Sequence, residues 1–172
     1  MNLLLPETYV KDINNPLIFL AGPIKGGGMW QDSAIDIIYS ADGDIYIASP
    51  HKKQGQYKGD SMQSDQSFQT QLEWERYYLR QAARNGAIMF WLPKEAEHSC
   101  DRVYAETTRR ELGEWTTRYQ FEDGVRLAIG GEEGFSGFDN IRRNLAEDCP
   151  DLPIYSTLEE TCIEAIRLAR LK

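Results

Sequence analysis

Histidine and cysteine are scarce in this chain and form no recognisable metal-binding motif. The 172 residues include two histidines, His51 and His98, and three cysteines, Cys100, Cys149 and Cys162. Because no CxxC or HExxH motif is present, no metal site is predicted. An odd number of widely spaced cysteines is typical of reduced thiols rather than of a disulfide framework. We therefore expect a cytoplasmic protein that uses no metal.

The chain also lacks long apolar runs and an excess of basic charge. No apolar run approaches the ~20 residues of a membrane span, and no basic region precedes the short apolar run near the start, so neither a membrane anchor nor a signal peptide is expected. The net charge of -8 argues against a nucleic-acid polymer or an anionic membrane as the main partner. A small nucleotide in a local basic pocket remains compatible with this charge.

Segments with strand-like and helix-like patterns alternate along the chain, which favours a mainly parallel sheet. Apolar runs bounded by turn residues predict five strands, at 16–21, 45–49, 87–92, 125–129 and 153–155. Helices are predicted from about residues 30, 68, 108 and 138, and a last one from a capping box at 156–159, whereas residues 1–15 are expected to be irregular. We therefore predict one α/β domain over residues 1–172, doubly wound and flavodoxin-like or Rossmann-like, with helices on both faces of a five-stranded sheet.

Three loops follow predicted strands and should meet at the carboxyl edge of the sheet, where open α/β sheets bind ligands. The loops span residues 22–28, 94–108 and 130–137. The first is glycine-rich but is neither GxGxxG nor GxxxxGK(S/T), so it does not indicate a dinucleotide or P-loop site. A long polar segment, 51–67, is predicted to be a lid that orders over the ligand.

Two carboxylates near these loops are the candidate reactive groups. Glu111 has the spacing of a capping box with Thr108, so it is either a helix cap or a nucleophile in the crevice. Glu75 falls on or beside the apolar stripe of the helix at 68–83, where a carboxylate is costly unless it is paired or faces a ligand. A solvated position at the edge of the stripe is the other possibility. Carboxylates beside aromatic rings, here Trp30, Trp91, Tyr104 and Trp115, suit glycosyl chemistry.

Several stretches, in this order and spacing, resemble the nucleoside 2-deoxyribosyltransferases, most closely the branch with a Gly-Pro-Ile loop. They are residues 17–24, the pair Trp74-Glu75, residues 90–93 and residues 107–115 with their Glu-Leu-Gly-Glu core; residues 56–59 look like part of the family's loop after the second strand. The resemblance covers roughly residues 16–165. It implies transfer of a 2-deoxyribosyl group between nucleobases through a covalent glycosyl–carboxylate intermediate, with nucleosides and free bases as partners and without metal or cofactor.

The resemblance also implies roles for single residues. Glu111 matches the family nucleophile, and Glu75 matches the carboxylate that assists departure of the base, with Glu73 as the fallback. Asn140 matches an asparagine that a neighbouring subunit contributes, which implies a homo-oligomer with shared active sites. The substrate is expected to contact Gly22, Pro23, Trp30, Trp74, Trp91 and Asn140.

Two departures from the family concern the surroundings of the nucleophile. The aromatic residue that many members carry in the first strand falls on Ile18 or Phe19, and neither can hydrogen-bond a carboxylate. The acidic residue that precedes the nucleophile in some members falls on Asp101 or on Glu106. From physical chemistry, we expect the helix N-terminus to keep Glu111 ionised and a partly apolar site to raise the pKa of Glu75.

Two other functions fit the same residues. A nucleoside monophosphate N-glycosidase would use water in place of the acceptor base and could hold the 5′-phosphate with Arg109, Arg110 and Lys25, unless these are only solvated surface charges. A nucleotide-binding module without turnover would use the glycine loops and aromatic rings, and Glu111 would then be a cap.

Overall fold

A parallel sheet of six strands forms the centre of the computed structural model. The structure describes residues 2–6, 8–10, 12–51 and 65–171, and of residues 65–69 only the backbone. Within these ranges the strands are β1 (Leu3–Leu4), β2 (Leu17–Ala21), β3 (Tyr46–Ala48), β4 (Gly86–Leu92), β5 (Leu127–Gly131) and β6 (Ile154–Tyr155). The helices are α1 (Trp30–Ala41), α2 (Asp65–Asn85), α3 (Glu106–Phe121), α4 (Phe138–Asp148) and α5 (Leu158–Ala169).

The strand order confirms the predicted doubly wound α/β class. The order is β1-β3-β2-β4-β5-β6, and every neighbouring pair is parallel. If β1 is set aside, the order of the other five strands is flavodoxin-like: β2, the first of them in the chain, lies between β3 and β4. The sheet has one strand more than predicted, because β1 pairs Leu3 with Ile47 at the edge of the sheet. A strand of two residues is too short to show periodicity in the sequence.

The helices form a layer on each face of the sheet. Alternate residues of β2 point to opposite layers, so Ile18 and Leu20 pack with α1 and α5, whereas Leu17 and Phe19 pack with α2, α3 and α4. All five residues of β2 and all seven of β4 are buried, as expected of central strands that are covered on both faces. Among the described helices, none is long and apolar enough to cross a membrane.

The switch in strand order places a crevice beyond the carboxyl ends of β2 and β4. After β2 the chain continues into α1 on one face, and after β4 it continues into α3 on the other face. Diverging connections of this kind leave room for a ligand between the two strand ends. The glycine loop after β2, the loop after β4 and the loop after β5 therefore lie at one edge, as the sequence predicted.

Some predicted boundaries shift in the structure. Helix α2 begins at Asp65, inside the segment predicted to be a lid. Residues 52–64 of that segment, which include the family-like stretch 56–59, lie outside the described residues. The capping box of α5 lies one residue later than predicted, because Thr157 Oγ1 accepts a hydrogen bond from the Glu160 amide at 3.2 Å and donates one to Glu160 Oε2 at 2.7 Å.

Candidate active site

Helix α3 carries Glu111 in its second turn. The helix is preceded by Ala105 in the left-handed conformation, with φ 57°, and no side chain caps its N-terminus. It therefore begins at Glu106, two residues earlier than the predicted capping box, so Thr108 and Glu111 both lie inside the helix. The interpretation of Glu111 as a cap is wrong, since neither side chain bonds to the first turn.

The carboxyl group of Glu111 is largely withdrawn from solvent. Its side chain is 13% exposed, and Arg110 Nη2 lies 4.0 Å from Oε1. Burial, followed by the charges of Glu75 and Glu114, raises the pKa of Glu111 to about 7, while the charge of Arg110 opposes the shift. We expected the helix dipole to keep Glu111 ionised, but the dipole acts within the first turn, and desolvation outweighs it in the second.

Glu75 on α2 is the residue whose charge contributes most to the raised pKa of Glu111. It is half-buried and accepts a hydrogen bond of 3.0 Å from Gln71 Nε2. Burial raises the pKa of Glu75, as predicted, and the hydrogen bond from Gln71 partly offsets the shift. The charge of Glu75 contributes to the raised pKa of Glu111, so the two carboxyl groups interact electrostatically. The fallback, Glu73, is exposed instead.

The loop after β2 is held in place by its own hydrogen bonds. The carbonyl oxygen of Pro23 accepts from Trp30 Nε1 at 3.0 Å and from Gln31 Nε2 at 3.3 Å. A Cβ atom on Gly22 would lie 2.5 Å from both the Trp30 ring and the Trp91 carbonyl oxygen. Gly22 is thus required for close packing at the carboxyl end of β2, and Pro23 is buried beside it.

The tryptophans predicted to line the substrate site lie in the core. Trp30 and Trp91 belong to the layer with α1 and α5, and Trp74 belongs to the opposite layer. All three are buried, and Trp74 Nε1 donates to the Thr8 carbonyl oxygen at 2.9 Å. This burial argues against direct contact with a substrate and supports a packing role. The prediction rested on the type of ring, which does not indicate on which face of the sheet a ring lies.

Asn140 lies in the first turn of α4. It is the third residue of α4, which follows the loop after β5, and its side chain is exposed. Among the described residues, no hydrogen bond to its side chain is present. The geometry leaves the amide group open to a neighbouring molecule.

Tyr104 and Phe135, which the sequence did not single out together, connect two of the edge loops. The Tyr104 hydroxyl donates to the Pro93 carbonyl oxygen at 2.9 Å, and its ring centroid lies 5.9 Å from that of Phe135. Burial, followed by the charges of Glu95 and Glu132, raises the pKa of Tyr104 to about 12. Aromatic residues in two loops at the same edge were the only signal for this contact.

Arg109 also belongs to this connection. Its guanidinium lies 4.4 Å from the centre of the Phe135 ring, and Nη2 donates to the Ser136 carbonyl oxygen at 2.7 Å. It therefore ties the start of α3 to the loop after β5. Arg110 faces Glu111 and Glu114, and Lys25 is exposed. The three cations proposed for a phosphate therefore show no common site.

Gln31 is a further buried polar residue that the sequence analysis missed. Its side chain is fully buried at the start of α1, and its Oε1 atom has no hydrogen-bond partner in the described part of the chain. A glutamine on the same helical face as Ala34 and Ile35 was the available signal. Among the described residues, no group of histidine, cysteine, aspartate and glutamate side chains is arranged to hold a metal ion.

Two surface clefts lie away from the carboxylates. The larger, about 650 Å³, lies between the ends of α3 and α4, and the smaller, about 380 Å³, lies between the ends of α2 and α3. Neither is lined by Glu75 or Glu111. Buried ionisable groups with perturbed pKa values at the carboxyl edge are the stronger indication of a reactive site.

Comparison with protein families gives a match over much of the chain. A family model described as "Nucleoside 2-deoxyribosyltransferase like" matches residues 15–120, more than half of the chain. The match includes both Glu75 and Glu111, and it ends before β5 and Asn140. No curated protein matches the chain at a significant level.

Proposed function

The chain belongs to the nucleoside 2-deoxyribosyltransferase-like family, and from this premise we propose that it transfers a 2-deoxyribosyl group between nucleobases. In this proposal Glu111 is the nucleophile, and Glu75 is the acid and base that serves the departing and the entering nucleobase. Family membership supports a nucleoside-processing glycosyltransferase. The burial of Glu111, with its raised pKa and its electrostatic interaction with Glu75, is the observation that supports the particular mechanism.

The reaction proceeds in two displacements. A carboxylate oxygen of Glu111 attacks C1′ of the deoxynucleoside, the C1′–N bond breaks, and the departing base takes a proton from Glu75. The acceptor base then attacks C1′ of the glycosyl ester, returns a proton to Glu75 and releases Glu111. Both displacements pass through oxocarbenium-like states, which a nearby carboxylate stabilises.

The two roles require one proton between the two carboxyl groups. The nucleophile must be ionised and the acid protonated, and repulsion between like charges favours a state in which only one of two interacting carboxyl groups is ionised. The pKa of about 7 for Glu111 includes contributions from burial and from the charge of Glu75. Arg110, 4.0 Å from Glu111, favours the ionised nucleophile.

A neighbouring copy of the chain completes the site in this proposal. Asn140 is exposed in the first turn of α4, where its side chain can reach a neighbouring molecule; in this proposal a second subunit supplies it to the site, and the enzyme is a homo-oligomer. The partners are nucleosides and free nucleobases in the cytoplasm, and the two carboxylates perform the chemistry without metal or cofactor.

Base exchange tests the proposal directly. The protein is incubated with one deoxynucleoside and a different free base, and both are followed by chromatography. We expect a new deoxynucleoside from the wild type and none from Glu111→Gln. Glu114→Gln is the matched control, since Glu114 lies one turn along the same helix, 43% exposed, and should leave exchange active.

Other products would contradict transfer. Free base without a new nucleoside, from deoxynucleosides or from their monophosphates, would indicate hydrolysis. Binding of nucleosides with no turnover would indicate the binding module. The structure offers the monophosphate hydrolase no specific support, because Arg109 already bonds to Ser136 and stacks on Phe135.

A further inference from the structure

The loop between β4 and α3, residues 93–105, contains a second group of reactive side chains. His98 Nε2 lies 3.6 Å from Cys100 Sγ, and His98 Nδ1 lies 3.0 Å from Glu95 Oε2. A thiol, an imidazole and a carboxylate in consecutive contact form the arrangement of nucleophile, base and orienting group that activates cysteine nucleophiles.

The backbone of this loop is anchored between Glu95 and His98 and again where the two ends of the loop meet. The amides of Ala96 and Glu97 donate to the Gly26 carbonyl oxygen at 2.7 and 3.3 Å. The Tyr104 hydroxyl donates to the Pro93 carbonyl oxygen at 2.9 Å and so joins the two ends of the loop. These hydrogen bonds hold the segment that carries the three side chains.

Cys100 differs from the other two cysteines in its access to solutes. Cys100 is exposed, whereas Cys149 and Cys162 are buried. Burial raises the pKa of both buried thiols, that of Cys162 to about 12. The side chain of His98 is 70% exposed and that of Glu95 is 24% exposed. A soluble reagent can therefore reach the one thiol that contacts a base.

The geometry fits proton transfer better than metal binding. His98 lies between the other two side chains and uses one ring nitrogen for each. Metal ligands instead surround a common point, and the described residues include no group arranged in that way.

We propose that Cys100, His98 and Glu95 form a reactive thiol site that takes low-molecular-weight disulfides. His98 accepts the thiol proton, and Glu95 orients the ring and stabilises its protonated form. The Cys100 sulfur attacks one sulfur of the disulfide, a new S–S bond forms, the old one breaks, and the departing thiolate takes a proton from His98 or water. The product is a mixed disulfide on Cys100, and no other oxidant is required.

The kinetics of thiol exchange test this site on the intact protein. With 4,4′-dithiodipyridine as the probe, we expect one fast-reacting thiol per chain, mapped to Cys100 by peptide mass. At neutral pH, His98→Asn should lower the fast rate about tenfold without changing its amplitude, because the thiolate is the reactive form and its base has been removed. At about pH 10, where ordinary thiols are ionised, the two rates should converge.

Local charge is the main alternative cause of a rate change. The other charged side chains of this loop and of the facing glycine loop are Lys94, Glu97, Asp101, Arg102 and Lys25. Asp101→Asn is the control, since it changes the charge beside Cys100 without touching His98, and it should not slow the reaction. Glu95→Gln should give a rate between those of wild type and His98→Asn. Equal rates for wild type and His98→Asn at neutral pH, or a first adduct on Cys149 or Cys162, would overturn the proposal.

Discussion

The pKa values of Glu75 and Glu111 are linked through the charge of Glu75. Burial raises the pKa of each, and the charge of Glu75 raises that of Glu111 further. At low pH both are protonated and no nucleophile exists, whereas at high pH both are ionised and no acid remains. The account therefore predicts a bell-shaped pH dependence of kcat/KM for base exchange, with the high-pH fall governed by the pKa of about 7.

Replacing Glu75 should change the shape of this profile. In Glu75→Gln, kcat/KM should no longer fall at high pH, because the variant has no second carboxyl group to lose a proton. The remaining rise of kcat/KM with pH should then report the ionisation of Glu111 alone. The rate should also fall, by about 10²–10⁴-fold, since the departing base loses its acid. Measured kcat/KM against pH checks this, with Glu73→Gln on the same helix as control. A bell that persists in Glu75→Gln would contradict the pairing.

At the residue level, the sequence indicated candidate reactive side chains but not their surroundings. The motif resemblance indicated Glu111 and Glu75, and in the structure the charge of Glu75 contributes to the raised pKa of Glu111. The pKa of about 7 depends mainly on burial, which no local sequence pattern reports. The burial of Trp30, Trp74 and Trp91 was also not predicted, because the type of ring does not distinguish a core position from a position in a site.

Helix α3 begins with an unusual conformation that affects how Glu111 is presented. Ala105 adopts φ 57°, a region that residues with a Cβ atom rarely occupy. This turn starts the helix at Glu106 and so moves Glu111 into the second turn. The sequence signal at Thr108 and Glu111 pointed to a later start, because capping-box residues also occur inside helices.

Relief of this strain gives a prediction for the element. Ala105→Gly should raise the free energy of unfolding by roughly 0.5–1 kcal/mol, because glycine adopts positive φ without a steric penalty. Ala146→Gly, at an exposed position inside α4, should lower it by about 1 kcal/mol. Urea unfolding of both variants measures the two shifts. A loss of stability in Ala105→Gly equal to that in Ala146→Gly would contradict the conformation assigned to Ala105.

On the scale of the whole molecule, alternation of strands and helices was enough to predict a doubly wound α/β fold with a mainly parallel sheet. The flavodoxin-like order then explains why loops distant in sequence meet at one edge. Strand β1 was missed, since its pairing with β3 depends on the finished sheet rather than on its own two residues. The lid over residues 51–67 stays a prediction, because residues 52–64 lie outside the part of the chain that the structure describes.

Ionisation of Glu111 should lower the free energy of unfolding above neutral pH. Glu111 has a pKa of about 7 in the folded chain against an ordinary value of 4.5. Below the ordinary value both states hold the proton; as pH rises towards 7, the unfolded chain releases it first, so folding is progressively disfavoured. Relative to wild type, Glu111→Gln should therefore gain up to about 3 kcal/mol of unfolding free energy above neutral pH. Urea unfolding of both proteins at acidic and at alkaline pH checks this. The same difference in unfolding free energy between wild type and Glu111→Gln at both pH values would contradict it.

Shared active sites lead to a prediction for the assembly. If a neighbouring copy supplies Asn140, then Asn140→Ala and Glu111→Gln should each lose base exchange, and a mixture of the two should regain part of it. Some mixed sites then contain both native residues. Light scattering gives the size of the assembly. A strictly monomeric protein that is fully active, or a mixture that exchanges subunits without regaining activity, would contradict the prediction.

The central claim is that Glu111 forms a covalent bond to the sugar. A 2′-fluorinated deoxynucleoside with a good leaving base should trap the glycosyl–enzyme, because the fluorine destabilises the oxocarbenium-like states of both steps, and an easily lost base lets the first proceed. After acid quenching, peptide mass mapping should find one fluorodeoxyribosyl group per chain on Glu111, and none in Glu111→Gln. An adduct on another residue, or base exchange by Glu111→Gln at the wild-type rate, would contradict the account.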